Sequence, residues 1–219
     1  MRSATPRAKP YAMKKTSTIR AVIFDLGRVL VDVDTARLAR NVFGRDDVTD
    51  TQKAIHHIMA DDLVQAFHAG SIEPEAFWRR LTDRLGVKMS FSRFTLAWCD
   101  IFSPMPESER VVRELAPRVK LGLLSDTDPL HWQYLREHYS FLRAFQRPTL
   151  SFEVGATKPD PRVFSAAVRN VGVPPAECLY IDDLAANVEG ARRSGLDAMQ
   201  FISAQQLRDV LVERNLLVR

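Results

Sequence analysis

Four short polar segments interrupt apolar runs in this chain of 219 residues: Asp25-Leu26-Gly27-Arg28, Ser125-Asp126-Thr127, Lys158-Pro159-Asp160 and Ile181-Asp182-Asp183. Asp25, Asp182 and Asp183 offer three carboxylates. If the fold gathers them they repel one another unless a cation lies between them, and a hard, oxygen-binding ion such as Mg²⁺ is the usual solution. Mg²⁺ keeps several waters and takes one or two carboxylates plus phosphate oxygens, which suits Asp25 and Asp183 better than an all-protein cage. Ser125 brings a hydroxyl donor and Lys158 a positive charge, both suited to the equatorial oxygens of a phosphoryl group in in-line transfer. A carboxylate opposite the leaving group can act as nucleophile and form an aspartyl-phosphate. Taken singly, Asp25 is a turn residue, Ser125 a helix cap and Lys158 a solvated charge; their joint placement carries the chemistry.

That placement follows from the elements around them. Ala21-Val22-Ile23-Phe24 is an apolar run stopped by Asp25 and reads as a buried strand. Val119–Leu124 is a second strand, ended by Ser125, and Cys178–Ile181 another, ended by Asp182 and Asp183. Thr149–Phe152 reads as a short strand whose following loop carries Lys158, and Ala198–Phe201 as the last strand. Helices fall between them: Glu107–Ala116, Leu130–His138, one opened by Asp160-Pro161 and stopped at Gly172, Asn187–Ser194, and a last one with Ser203 and Gln206 as capping box. Strands alternating with helices of this length predict an α/β fold with a parallel sheet and right-handed crossovers. Ligands of such sheets lie at the carboxyl ends of the strands, where all four polar segments fall.

Residues 35–105 break the alternation and read as an all-helical insertion without strands. Asp61-Asp62 open a helix that ends by Gly70, and Pro74 starts another, closed by Gly86, with Phe77, Trp78, Leu81 and Leu85 on one face. A further helix is expected over Arg93–Phe102. These aromatic faces are read as packing; His68 and Trp78 are the insertion's candidates for substrate contact. The expected organisation is therefore a core of residues 20–34 and 106–219 and a helical cap of residues 35–105.

Composition removes several other classes. The formal charge of +4 comes from residues 1–20, which hold six Lys and Arg and no acid; subtracting those six leaves −2 for residues 21–219. The folded part is slightly acidic, so the overall basic balance is no argument for nucleic acid. Residues 1–19 are expected to be a disordered basic extension, with an organelle transit peptide as the alternative. Cys99 and Cys178 are too few and too far apart for a disulfide framework or a thiolate metal site. No segment approaches the roughly 18 apolar residues of a membrane span, so a cytoplasmic protein is expected, and nothing in the chain specifies an oligomeric state.

With all four segments in this order, the chain resembles the haloacid dehalogenase-like hydrolase superfamily over about residues 19–205. It is most similar to the phosphatase branch whose helical cap follows the first motif, including members that look like sugar-phosphate phosphatases with an Asp-Leu-Gly first motif. The resemblance implies a Rossmann-like core with an inserted helical-bundle cap and a Mg²⁺-dependent phosphatase of a small phosphorylated metabolite. It further implies Asp25 as nucleophile, the Gly27 carbonyl and Asp183 as metal ligands, Asp182 as a supporting ligand, and Ser125 and Lys158 as phosphate binders. Asp183 is preferred over Asp182 because it stands four residues before Asn187. Three positions depart from the pattern. Gly27 stands where most of these phosphatases carry an acid–base Asp, Arg28 where a small residue is usual, and Asp126 where Asn is usual. Arg28 and Asp126 are both placed beside the phosphate, one adding charge and the other subtracting it. Asp32 and Asp34 are weaker candidates for the missing proton donor. Two other functions share the motifs: a metal-independent haloacid dehalogenase, and a weakened homologue that binds phosphate without turnover.

Overall fold

The computed structural model describes residues 18–43 and 61–218, so the expected disorder of residues 1–19 falls almost wholly outside the described residues. In chain order the strands are β1 (Ala21–Phe24), β2 (Val31–Val33), β3 (Phe102–Pro104), β4 (Lys120–Ser125), β5 (Thr149–Leu150), β6 (Cys178–Asp182) and β7 (Asp197–Gln200). The described α-helices are α1 (Thr35–Phe43), α2 (Asp62–His68), α3 (Pro74–Leu85), α4 (Phe91–Cys99), α5 (Pro106–Leu115), α6 (Pro129–His138), α7 (Ser151–Val154), α8 (Pro161–Val171), α9 (Ala185–Arg193) and α10 (Ala204–Glu213).

Five strands form one parallel sheet in the order β5-β4-β1-β6-β7, with β1 at its centre. Alternation along β1 feeds two apolar layers. Val22 and Phe24 pack with side chains of α5, α6 and α10. Ala21 and Ile23 pack on the other face with α8 and α9. A strand buried on both faces has no polar alternation, which is why it reads as an unbroken apolar run. The helix starts follow local chemistry: Asp160 and Asp128 cap α8 and α6 through their carboxylates, each with a proline at the first position.

Between β2 and α5 the described residues form the helices α1, α2, α3 and α4, in the stretch expected as a helical insertion. Its aromatic side chains form a third apolar cluster around Leu38, Phe67, Phe77, Phe94 and Trp98, with Phe67 stacked on Phe77 at 4.1 Å between centroids. Here the structure corrects two expectations. The helix expected over Arg93–Phe102 spans Phe91–Cys99, and Phe102–Pro104 is a strand within residues 35–105, paired antiparallel with β2. The partner that makes this short stretch a strand lies about seventy residues earlier, so no local pattern announces it. The third core strand is also shorter than expected, Thr149–Leu150, because Ser151 begins α7 and uses its hydroxyl to bridge both the N–H and the carbonyl of Thr127. In the final helix Ser203 accepts from the Gln206 N–H, but Gln206 returns a bond to Ile202 rather than to Ser203, so the capping box is half formed. No helix among the described residues is long and apolar enough to cross a membrane.

Candidate active site

Strand register brings the first and last motifs side by side. Phe24 lies opposite Leu123 on one side and Ile181 on the other, so Asp25, just past β1, lies level with Asp182 at the end of β6 and with Leu124, one residue before the end of β4. The Asp25 N–H donates to the Ile181 carbonyl at 2.8 Å and holds that level. From β1 the sheet extends through β4 and β5 to one side and through β6 and β7 to the other, so Asp25 sits where the strand order reverses and the crevice opens.

Lys158 reaches this rim from the loop behind α7. Its Nζ lies 2.6 Å from Asp25 Oδ1 and 2.9 Å from Asp182 Oδ2, almost wholly buried. The loop is held at two points. Both oxygens of Asp126 accept the Lys158 backbone N–H, at 3.0 and 3.2 Å. Gly190 of α9 lies against Pro159 and Phe164 so closely that an added Cβ would fall 2.8 Å from Pro159 Cβ. Asp126, expected beside the phosphate, thus spends its carboxylate on the lysine loop.

Three oxygens, one each from Asp25, Asp182 and Asp183, lie within 4.8 Å of one another. Burial pushes the Asp25 carboxyl up to about 7, against the pull of Lys158 and with Asp182 adding to the rise. Asp183 moves the same way, through burial and Asp182, with Arg28 and Lys158 opposing. Burial works against the charge of Lys158 too, but Asp25, Asp182 and Asp126 outweigh it and hold the ammonium above its ordinary range. One buried cation among these acids leaves the rim with surplus negative charge, which a bound cation relieves.

Asp182 and Asp183 differ sharply in their surroundings. Asp182 is fully buried and takes bonds from Lys158, the Tyr180 hydroxyl, the Asn187 amide and the Leu184 N–H. Asp183 is only partly covered, and its nearest cation is Arg28 at 3.9 Å. Arg28 takes a left-handed backbone (φ 58°), unusual for a residue with a side chain. Ser125 ends β4 and is buried. Asp34, a weaker candidate for the missing proton donor, accepts the Arg37 N–H at the start of α1 and pairs with Arg40. Tyr180 and the amide role of Asn187 escaped the sequence reading. Tyr180 looks like one more core aromatic in β6, although its spacing of two from Asp182 puts both on one face of the strand.

A buried acid at the end of the central parallel strand, paired with a lysine from a neighbouring loop and flanked by two further acids, defines a class of α/β hydrolases. The chain belongs to the haloacid dehalogenase-like hydrolase family, whose pattern matches residues 19–195. It is 24% identical over 189 residues to the D-ribitol-5-phosphate phosphatase of Bacteroides thetaiotaomicron, covering 83% of this chain and 91% of that relative. A crystal structure of a family enzyme from Bacteroides thetaiotaomicron, in complex with magnesium and inorganic phosphate, superposes with a TM-score of 0.73 at 24% identity, over 83% of this chain and 93% of the other. The L-2-haloacid dehalogenase of Xanthobacter autotrophicus shares the fold at a TM-score of 0.64 and 22% identity, over 89% of this chain and 83% of the other.

Proposed function

We propose that this hydrolase is a Mg²⁺-dependent phosphatase that cleaves a small phosphorylated metabolite through an aspartyl-phosphate on Asp25. The observation that carries the proposal is the buried Asp25–Lys158 pair, 2.6 Å apart, inside a cluster of three carboxylates. Asp25 Oδ1 is anchored by Lys158 and by the Leu26 N–H at 2.7 Å, which leaves Oδ2 with lone pairs for attack. As Oδ2 bonds to phosphorus, the bond to the leaving oxygen breaks in line, and water then cleaves the acyl phosphate to return Asp25 and release phosphate. Lys158 and the Ser125 hydroxyl bind the equatorial oxygens. The lysine is positioned by Asp182, whose own charge is met by Tyr180, Asn187 and Leu184.

The donor set fits Mg²⁺, because it consists of hard oxygens and holds more negative charge than Lys158 can balance. Asp25, Asp183 and the Gly27 carbonyl would hold the ion, with Asp182 supporting them. When bound, it adds positive charge where the phosphoryl oxygens gather charge in the transition state. The helices of residues 35–105 are proposed as the cap that excludes water and selects the substrate.

The test is release of inorganic phosphate from an aryl phosphate and from a panel of sugar phosphates and short-chain phosphate esters. Wild-type protein is expected to turn over with Mg²⁺, to stop with chelator, and to lose at least about 10³-fold in Asp25→Asn. Activity on a 2-haloacid that survives chelation would replace this reading with the dehalogenase alternative. Phosphate-analogue binding without turnover across the panel would favour the non-catalytic one.

A further inference from the structure

A second polar cluster lies buried three residues beyond Ser125, where the helical insertion meets α6. Asp128 is fully buried, and its Oδ1 caps α6 by accepting from the N–H groups of Leu130 at 3.0 Å and His131 at 2.9 Å. Its Oδ2 accepts the Trp98 Nε1–H at 3.1 Å, and lies 2.8 Å from His131 Nδ1 and 3.7 Å from His68 Nε2. The other nitrogen of His131 lies 2.9 Å from the carbonyl oxygen of Trp98. A carbonyl only accepts, so His131 Nε2 carries a hydrogen, and in the neutral ring Nδ1 then presents a lone pair to the carboxylate. Two acceptors at that distance require a positive centre between them: a proton or a metal ion. A proton on Nδ1 satisfies His131 and Asp128. It leaves His68 Nε2, an enclosed atom with no hydrogen-bond partner among the described residues, unsatisfied beside them. A single cation satisfies all three.

We propose that His68, Asp128 and His131 form a Zn²⁺ site that ties α2 of the insertion to α6 of the core. The three ligating atoms lie within 4.8 Å of one another. Zn²⁺ bonds of about 2.0–2.2 Å in tetrahedral geometry place ligand atoms about 3.3–3.6 Å apart. The observed separations of 2.8 and 3.7 Å from Asp128 Oδ2 bracket that range. Two imidazoles and one carboxylate suit zinc, whereas the all-oxygen cluster at Asp25 suits magnesium, so the two sites select different ions. The bond from His131 Nε2–H to the Trp98 carbonyl is the outer contact that orients metal-ligating histidines, and the ring is stacked on Trp98 with 5.0 Å between centroids. Trp98 belongs to α4 and His68 to α2, so the site clasps two helices of the insertion to the segment that follows Ser125.

The test is a zinc titration of tag-free, zinc-stripped protein, by calorimetry and by elemental analysis after dialysis, near neutral pH with millimolar Mg²⁺ throughout. One equivalent of zinc is expected to bind. It should persist in Asp183→Asn, which alters only the cluster at Asp25, and weaken roughly tenfold or more in His68→Gln. His68 lies at the margin of its cluster, and circular dichroism checks that this variant is folded. The proposal is overturned if wild-type protein retains no zinc; nitrogen NMR that finds both His131 ring nitrogens protonated then identifies a proton as the positive centre. It is equally overturned if zinc is retained by His68→Gln and lost in Asp183→Asn. Metal content rather than turnover is read, so the outcome is independent of the phosphatase reading.

Discussion

Asp25 is the proposed nucleophile, and the position two residues on, Gly27, supplies no carboxylate to protonate what leaves. General acid–base help is typically worth about 10²–10⁴ in rate, and most to poor leaving groups. Turnover is therefore expected to favour aryl over alkyl phosphates by a factor in that range. Gly27→Asp should narrow the gap, since a Cβ there meets only Val33 Cγ2, at 3.3 Å. Comparable rates for both ester classes in the wild type would show that another group donates the proton. At this scale the meeting of Asp25, Lys158 and the acid pair could be read from residue type and position along the chain. The job of Asp126 could not, because its carboxylate answers to the Lys158 N–H, thirty-two residues further along the chain. Tyr180, and the bond of Asn187 to Asp182, were illegible for a similar reason: both groups bond Asp182, which itself holds Lys158.

Among the elements, α9 packs directly against the lysine loop. Gly190 allows the helix to touch Pro159 and Phe164, and a methyl group would fall 2.8 Å from one and 3.0 Å from the other. Gly190→Ala is expected to cost about 1–3 kcal/mol in denaturant unfolding, as overpacking does, and to lower phosphate release by displacing Lys158. A variant with native stability and native turnover would show that the loop is positioned by Asp126 alone. Core strands β1, β4 and β6 were legible because burial on both faces produces long apolar runs. β3 was not, since three residues with two-sided exposure acquire strand geometry only from β2.

For the whole molecule, the buried acids make stability a function of pH and, with the proposed Mg²⁺ site, of metal. The Asp25 carboxyl sits near 7 in the fold against about 4 in an unfolded chain, so between those values the folded state binds more protons. Its contribution to stability is complete below pH of about 4 and is lost as pH rises through about 7. Metal-free protein should accordingly lose melting temperature across that window. Asp25→Asn should flatten the dependence and melt higher than wild type near neutral pH, and Mg²⁺ should restore the wild type most at alkaline pH. A metal-free Asp25→Asn protein that melts lower than wild type near neutral pH would refute this. By itself the sequence determined the α/β alternation, the family resemblance and the identity of the rim residues, because apolar periodicity and residue chemistry are local properties. The tertiary structure alone decided the pairing of β2 with β3, the assignment of Asp182 to Lys158 and of Asp126 to the lysine loop, and the meeting of His68 with Asp128 and His131. Each of those depends on contacts between segments far apart in the chain, and no local pattern encodes which distant group a buried charge will meet.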